Sequence, residues 1–108
     1  MYGRRRKIMH GPNGKHVKNN MTWEEYGKWQ RWDEWPERSE NPPLNVETAF
    51  WYCNQEYMVT SLDGNYVIVK QPEFEIIISN SNFIGLLNMV FIEGKSFKEL
   101  LPELLFED

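Results

Sequence analysis

The sequence predicts an α+β fold: a four-stranded antiparallel meander with an N-terminal aromatic helix before it and two short C-terminal helices after it. Three observations carry this expectation. Residues 47–53, 57–62, 66–70 and 73–79 are runs rich in β-branched and aromatic side chains, separated by Asn54-Gln55, Asp63-Gly64-Asn65 and Gln71-Pro72. Two capping-box sequences, Thr22-Trp23-Glu24-Glu25 and Ser96-Phe97-Lys98-Glu99, open helices on either side of those runs. Leu, Ile, Val and Phe together make up 27 of the 108 residues, more than a disordered chain carries.

The elements follow in order. Residues 1–20 hold Arg4, Arg5, Arg6, Lys7, Lys15 and Lys18 among Gly, Asn and Pro, with little apolar material to offset the entropy of ordering. They are expected to form a disordered basic tail, with residues 21–108 as a single domain. Gly3-Arg4-Arg5-Arg6-Lys7-Ile8-Met9 is also what a purine-rich ribosome-binding site encodes when read in frame, which makes Met9, or else Met21, an expected natural start.

Thr22 is the expected N-cap of a helix reaching Asp33 or Glu34, since Pro36 disfavours helical geometry at Trp35. Trp23, Tyr26, Trp29, Trp32 and Trp35 recur every third residue, and a straight helix would fan them over about 240°. Either the end of the helix folds back onto the sheet or some of these rings are exposed. Residues 36–46 read as a proline-rich connector.

Asp-Gly is a hairpin signal because both central residues of a type I′ turn need positive φ. With two-residue loops throughout, one sheet face collects Ala49, Trp51, Met58, Thr60, Leu62, Val67, Val69, Phe74, Ile76 and Ile78. The other collects Phe50, Tyr52, Tyr57, Val59, Ser61, Tyr66, Ile68, Lys70, Glu73, Glu75 and Ile77. The first face is the expected core. Asn80 or Ser81 caps a short helix with Phe83, Ile84, Leu87 and Val90 on one stripe, and residues 91–94 turn into the final helix. Pro102 should shorten, kink or restart that helix. Both helices have the apolar surface to cover the first face.

Charge is divided unevenly. Residues 1–20 carry six bases and no acid, while residues 21–108 carry the other six bases with all sixteen acids, a net charge of −10. The acidic part repels nucleic acid, and only Arg4, Arg5, Arg6 and Lys7 offer it contacts. No apolar run is long enough to cross a membrane, and a single cysteine, Cys53, agrees with a reducing compartment; a cytoplasmic protein is expected.

Little here points to catalysis. His10 and His16 fall in the tail, so no Ser-His or Cys-His pair exists in the folded part, and no metal-ligand spacing occurs. Gly94-Lys95-Ser96 lacks the earlier glycine of a phosphate loop, with Met89 in its place. Tyr66, Lys70, Glu73 and Glu75 share a strand face, but a solvated polar edge accounts for them better than a catalytic cluster. No enzyme and no cofactor are expected.

The order of helix, connector and meander, with the closing Phe91-Ile92-Glu93-Gly94-Lys95-Ser96-Phe97-Lys98-Glu99-Leu100, resembles small uncharacterised bacterial α+β proteins carried with phage or other mobile-element genes. The resemblance covers residues 47–106 and carries no site residue over. The functional expectation is therefore a small acidic binding or accessory protein. It would meet another protein, or a second copy of itself, through Trp29, Trp32, Trp35, Tyr52, Tyr57 and Tyr66, because Trp and Tyr exceed what one thin face needs. The alternative is nucleic-acid association through the basic tail.

Overall fold

Two short strands absent from the sequence expectation enlarge the sheet. In the computed structural model, which describes residues 17–18, 20–34 and 41–107, the elements run β1 (Val17–Lys18), α1 (Trp23–Trp29), β2 (Thr48–Tyr52), β3 (Gln55–Leu62), β4 (Asn65–Lys70), β5 (Glu75–Asn80), α2 (Phe83–Leu87), β6 (Val90–Ile92), β7 (Lys95–Ser96), α3 (Phe97–Leu100) and β8 (Leu105–Glu107). Single 3₁₀ turns occupy Trp32–Glu34 and Leu101–Glu103. The fold is α+β with an antiparallel sheet, but the sheet has six strands in the order β1-β8-β2-β3-β4-β5 rather than four. The expected last helix is one turn long. Pro102 ends it through the 3₁₀ turn, and the chain leaves as β8, which pairs with β2 and β1.

The meander forms, with one turn displaced by a residue and one loop longer than expected. Cys53 and Asn54 (φ 52° and 65°) make the β2–β3 turn, so Trp51 faces Glu56 and Ala49 faces Met58. Asp63-Gly64 (φ 52° and 84°) makes the β3–β4 turn, with Leu62 facing Asn65 as expected. Between β4 and β5 the loop has four residues, Gln71 to Phe74, so Val69 faces Ile76 instead of Phe74. Each change slides the register by two residues and leaves the faces sorted as before. The exception is a bulge at Ile77, which moves Ile78 opposite Ile68 and onto the other face.

The two C-terminal helices cover the opposite face from the one expected of them, the same face that α1 covers. Phe50, Val59, Ile68 and Phe106 are buried together with Met21, Tyr26, Phe83, Leu86, Leu87, Phe97, Leu100, Leu101 and Leu104. Strand directions supply the reason. β1 runs parallel to β2 across the intervening β8, and β5 runs parallel to β8 at the other side of the sheet. Both helical segments are therefore crossover connections, whose hand is strongly restricted, and the restriction decides which face they lie on.

Capping boxes start α1 at Thr22 and α3 at Ser96, each with the hydroxyl accepting from the N3 amide and the N3 glutamate accepting from the cap amide. Asn82, rather than Asn80 or Ser81, caps α2. Helix α1 stops at Gln30, and Arg31 (φ 65°) turns the chain back. That reversal lays Trp32 on Gly27, where an added Cβ would stand 2.9 Å from the ring. Gln30 is wholly buried, and its amide joins α1 to the connector. Its Oε1 accepts from Asn45 N (2.9 Å) and Val46 N (3.0 Å), and its Nε2 donates to Val46 O (2.7 Å) and Thr48 Oγ1 (3.1 Å).

Candidate functional site

Of the aromatic residues expected to face a partner, Trp29, Trp32, Tyr52, Tyr57 and Tyr66 stand on the helix side, each half-buried and each packed against the core. Trp29 meets Phe106 edge-on at 5.6 Å. Trp32 packs between Trp23 (5.5 Å) and Phe83 (6.0 Å), and its indole N–H donates to Pro43 O at 3.0 Å. Tyr57 stacks on Phe50 (5.4 Å), and Tyr66 lies against Phe83 (5.2 Å). The Tyr52 hydroxyl donates to Glu93 Oε1 at 3.1 Å; that hydrogen bond, helped by desolvation and by the carboxylate's charge, pushes the phenol up to about 12. Burial raises Tyr57 as well. Trp35, like Arg4, Arg5, Arg6 and Lys7, lies outside the described residues.

Tyr66, Lys70, Glu73 and Glu75 are not gathered into one site. Lys70 faces Tyr57 on one side and Glu75 on the other. Tyr66 is four residues up the same strand, about 13 Å away at the rise of an extended chain. Glu73 stands exposed in the β4–β5 loop. Among the described residues, no three His, Cys, Asp or Glu side chains gather as metal ligands, and no helix is long and apolar enough to cross a membrane.

The other face of the sheet combines buried and exposed apolar side chains. Leu105, Trp51, Ala49, Met58, Val69 and Ile76 follow one another across β8, β2, β3, β4 and β5. Ile76 is 48% exposed and Phe74 42%, while Ala49, Met58 and Leu105 are half-buried. Trp51, Val67 and Val69 are buried by comparison, yet none of them belongs to the cluster beneath the helices. Among the described residues, no helix lies on this face. Leu62, 39% exposed, stands at its far corner.

Acids frame the stripe. Glu56 shares the face beside Trp51, Glu47 accepts from the Thr60 hydroxyl in the next row, and Asp63 and Glu73 occupy the two loops that bound β4. The basic side chains Lys28, Arg31, Lys95 and Lys98 belong to the helical layer, and Lys70 shares the face of Tyr57. Lys98 caps the Trp23 ring at 4.6 Å, and Lys95 pairs with Glu103 at 3.7 Å.

Searches with this chain against protein-family models, curated proteins and solved structures find no match. The candidate site therefore rests on its own geometry. The sequence analysis grouped Trp51, Met58, Val69, Phe74 and Ile76 correctly on one face but took that face for the core. The overlooked signal is Leu105-Phe106-Glu107, an alternating apolar-aromatic-charged segment beyond Pro102 that forms the strand closing the crossover.

Proposed function

We propose that this chain is a small non-enzymatic binding module that docks another protein on the sheet face opposite its helices. The single observation carrying this reading is the apolar stripe from Leu105 to Ile76, which crosses five strands with no described helix above it and ends on the 48% exposed Ile76. A chain that keeps Ile76 about half exposed at the end of this stripe leaves apolar area there for a partner to remove from water. The aromatic surface expected from the sequence contributes less, because Trp29, Trp32, Tyr57 and Tyr66 already spend most of their area on the core.

The test compares two exposed apolar residues on opposite sides. Ile76→Asp alters the open face, and Val90→Asp alters a 59% exposed position in the helical layer. The immobilised full chain should retain a protein from its host extract, Val90→Asp should retain it equally, and Ile76→Asp should lose it. Equal retention by both variants, with both still folded by circular dichroism, removes the open face from consideration.

A further inference from the structure

We propose that two copies of this chain join edge to edge along β5, antiparallel about a two-fold axis, so that their sheets continue into one another. The contact is made by main-chain groups at the rim of the sheet, and it goes beyond the open-face reading above without depending on it.

The hydrogen-bond ladder leaves β5 with an unpaired side. Asp63-Gly64 closes Leu62 and Asn65 as a bonded pair, so Val67 and Val69 also turn their N–H and C=O toward β3. Their opposites on β5, Ser79 and Ile76, therefore aim their main-chain groups outward. β5 ends the strand order, and among the described residues nothing beyond the sheet hydrogen-bonds to Ile76, Ile77, Ile78 or Ser79.

Side chains mark the same rim. Among the described residues four large apolar side chains stand exposed, Leu62, Phe74, Ile76 and Val90, and two of them lie on β5 or directly before it. Edge strands are ordinarily protected by shortness, Lys, Pro or a bulge. β5 is six residues long, has neither Lys nor Pro, and holds Ile76, Ile77 and Ile78 in succession. Its bulge suits a two-fold. Ile76 and Ser79 share the open face and both aim outward, so setting Ile76 against Ser79 of the second copy makes both bonded pairs at once. In a regular strand, residues three apart would lie on opposite faces. Glu75 then meets Asn80 of the second copy, an uncharged amide, and no two carboxylates of β5 are opposed.

The other end of the sheet limits the pairing to two copies. β1 is two residues long and includes Lys18, so each chain offers one edge fit for pairing. One such edge per chain gives a closed pair and not a fibre.

The experiment uses the full chain labelled with ¹⁵N, from about 10 µM to about 1 mM. Sedimentation equilibrium should show the mass rising from one copy to two. Over the same range hydrogen exchange at the Ser79 amide should slow about tenfold, with no change in β1. Ser79→Pro removes the outward N–H and leaves the bonds to β4 in place. It should weaken the pair about tenfold, since two hydrogen bonds are lost at once. Val90→Asp, exposed in the helical layer, should pair as the wild type does. A chain that stays single throughout overturns the proposal. So does a dimer whose Ser79 amide exchanges no more slowly, a dimer that Ser79→Pro leaves intact or Val90→Asp dissolves, or a mass beyond two copies. Where Ser79→Pro does not fold by circular dichroism, the wild-type mass and exchange decide alone.

Discussion

Adjacent residues on the same strands meet opposite environments in this protein. Phe50 and Val59 are wholly buried beneath the helices, while their neighbours Ala49 and Met58 on the other side of the sheet are half-buried. Ile76 across from them is 48% exposed, although Val67 and Val69 on that side are buried too. Both faces are apolar by composition, so composition does not separate a core from a docking surface. What separates them is the path of the chain. The helical side also has polar fastenings, in Gln30 and the two capping boxes, whereas the other side sets Glu56 opposite Trp51, whose indole N–H makes no hydrogen bond among the described residues.

The strongest test of this contrast is paired truncation. Phe50→Ala should lose about 4 kcal/mol of unfolding free energy, the cost of removing an aromatic side chain from a sealed core. Ile76→Ala should stay within about 1 kcal/mol, because half of that side chain already meets water. Urea unfolding measures both, and equal losses would mean the two faces are equally buried. Next in size, Gln30→Met keeps the bulk but strips Asn45 and Val46 N–H of their acceptor, and should cost about 3 kcal/mol in the same measurement. Glu56→Gln on the open side should change stability by no more than about 0.5 kcal/mol.

The smallest effect is the response to alkali. Tyr26, Tyr52 and Tyr57 are all raised, Tyr26 and Tyr57 chiefly by burial and Tyr52 first by its bond to Glu93. A phenol that ionises later in the folded chain than in the unfolded one leaves stability unaffected below pH 10. Above that, the unfolded chain sheds its protons first, and stability falls as pH rises toward about 12 for Tyr52. Unfolding midpoints measured at pH 9 and pH 11 should drop for the wild type and drop less for Tyr52→Phe. All three phenols stand on the helical side, so the alkaline sensitivity belongs to that side alone.

Much of this was legible in the residues, and particular elements explain why. Thr22 and Ser96 announced their helices because a capping box is a local bargain between neighbours three apart. Asp63-Gly64 announced its hairpin for the same reason. The face assignments survived a misplaced turn and a misjudged loop length because each slid the register by two residues, and failed only at the Ile77 bulge, which inserts one. Trp32 was foreseen as a ring that must fold back, but Gly27, which makes room for it, was not. Val17–Lys18 and Leu105–Glu107 were missed because strands this short have almost no period of their own and exist through their pairing.

From the sequence alone came the α+β class, the order of the meander, the capped helix starts and the partition of side chains between two faces, since each depends on contacts a few residues apart. Tertiary structure alone decided which face became the interior. That choice hangs on β1 and β8 closing two crossovers whose hand is a property of the whole sheet, and no window of neighbouring residues contains it.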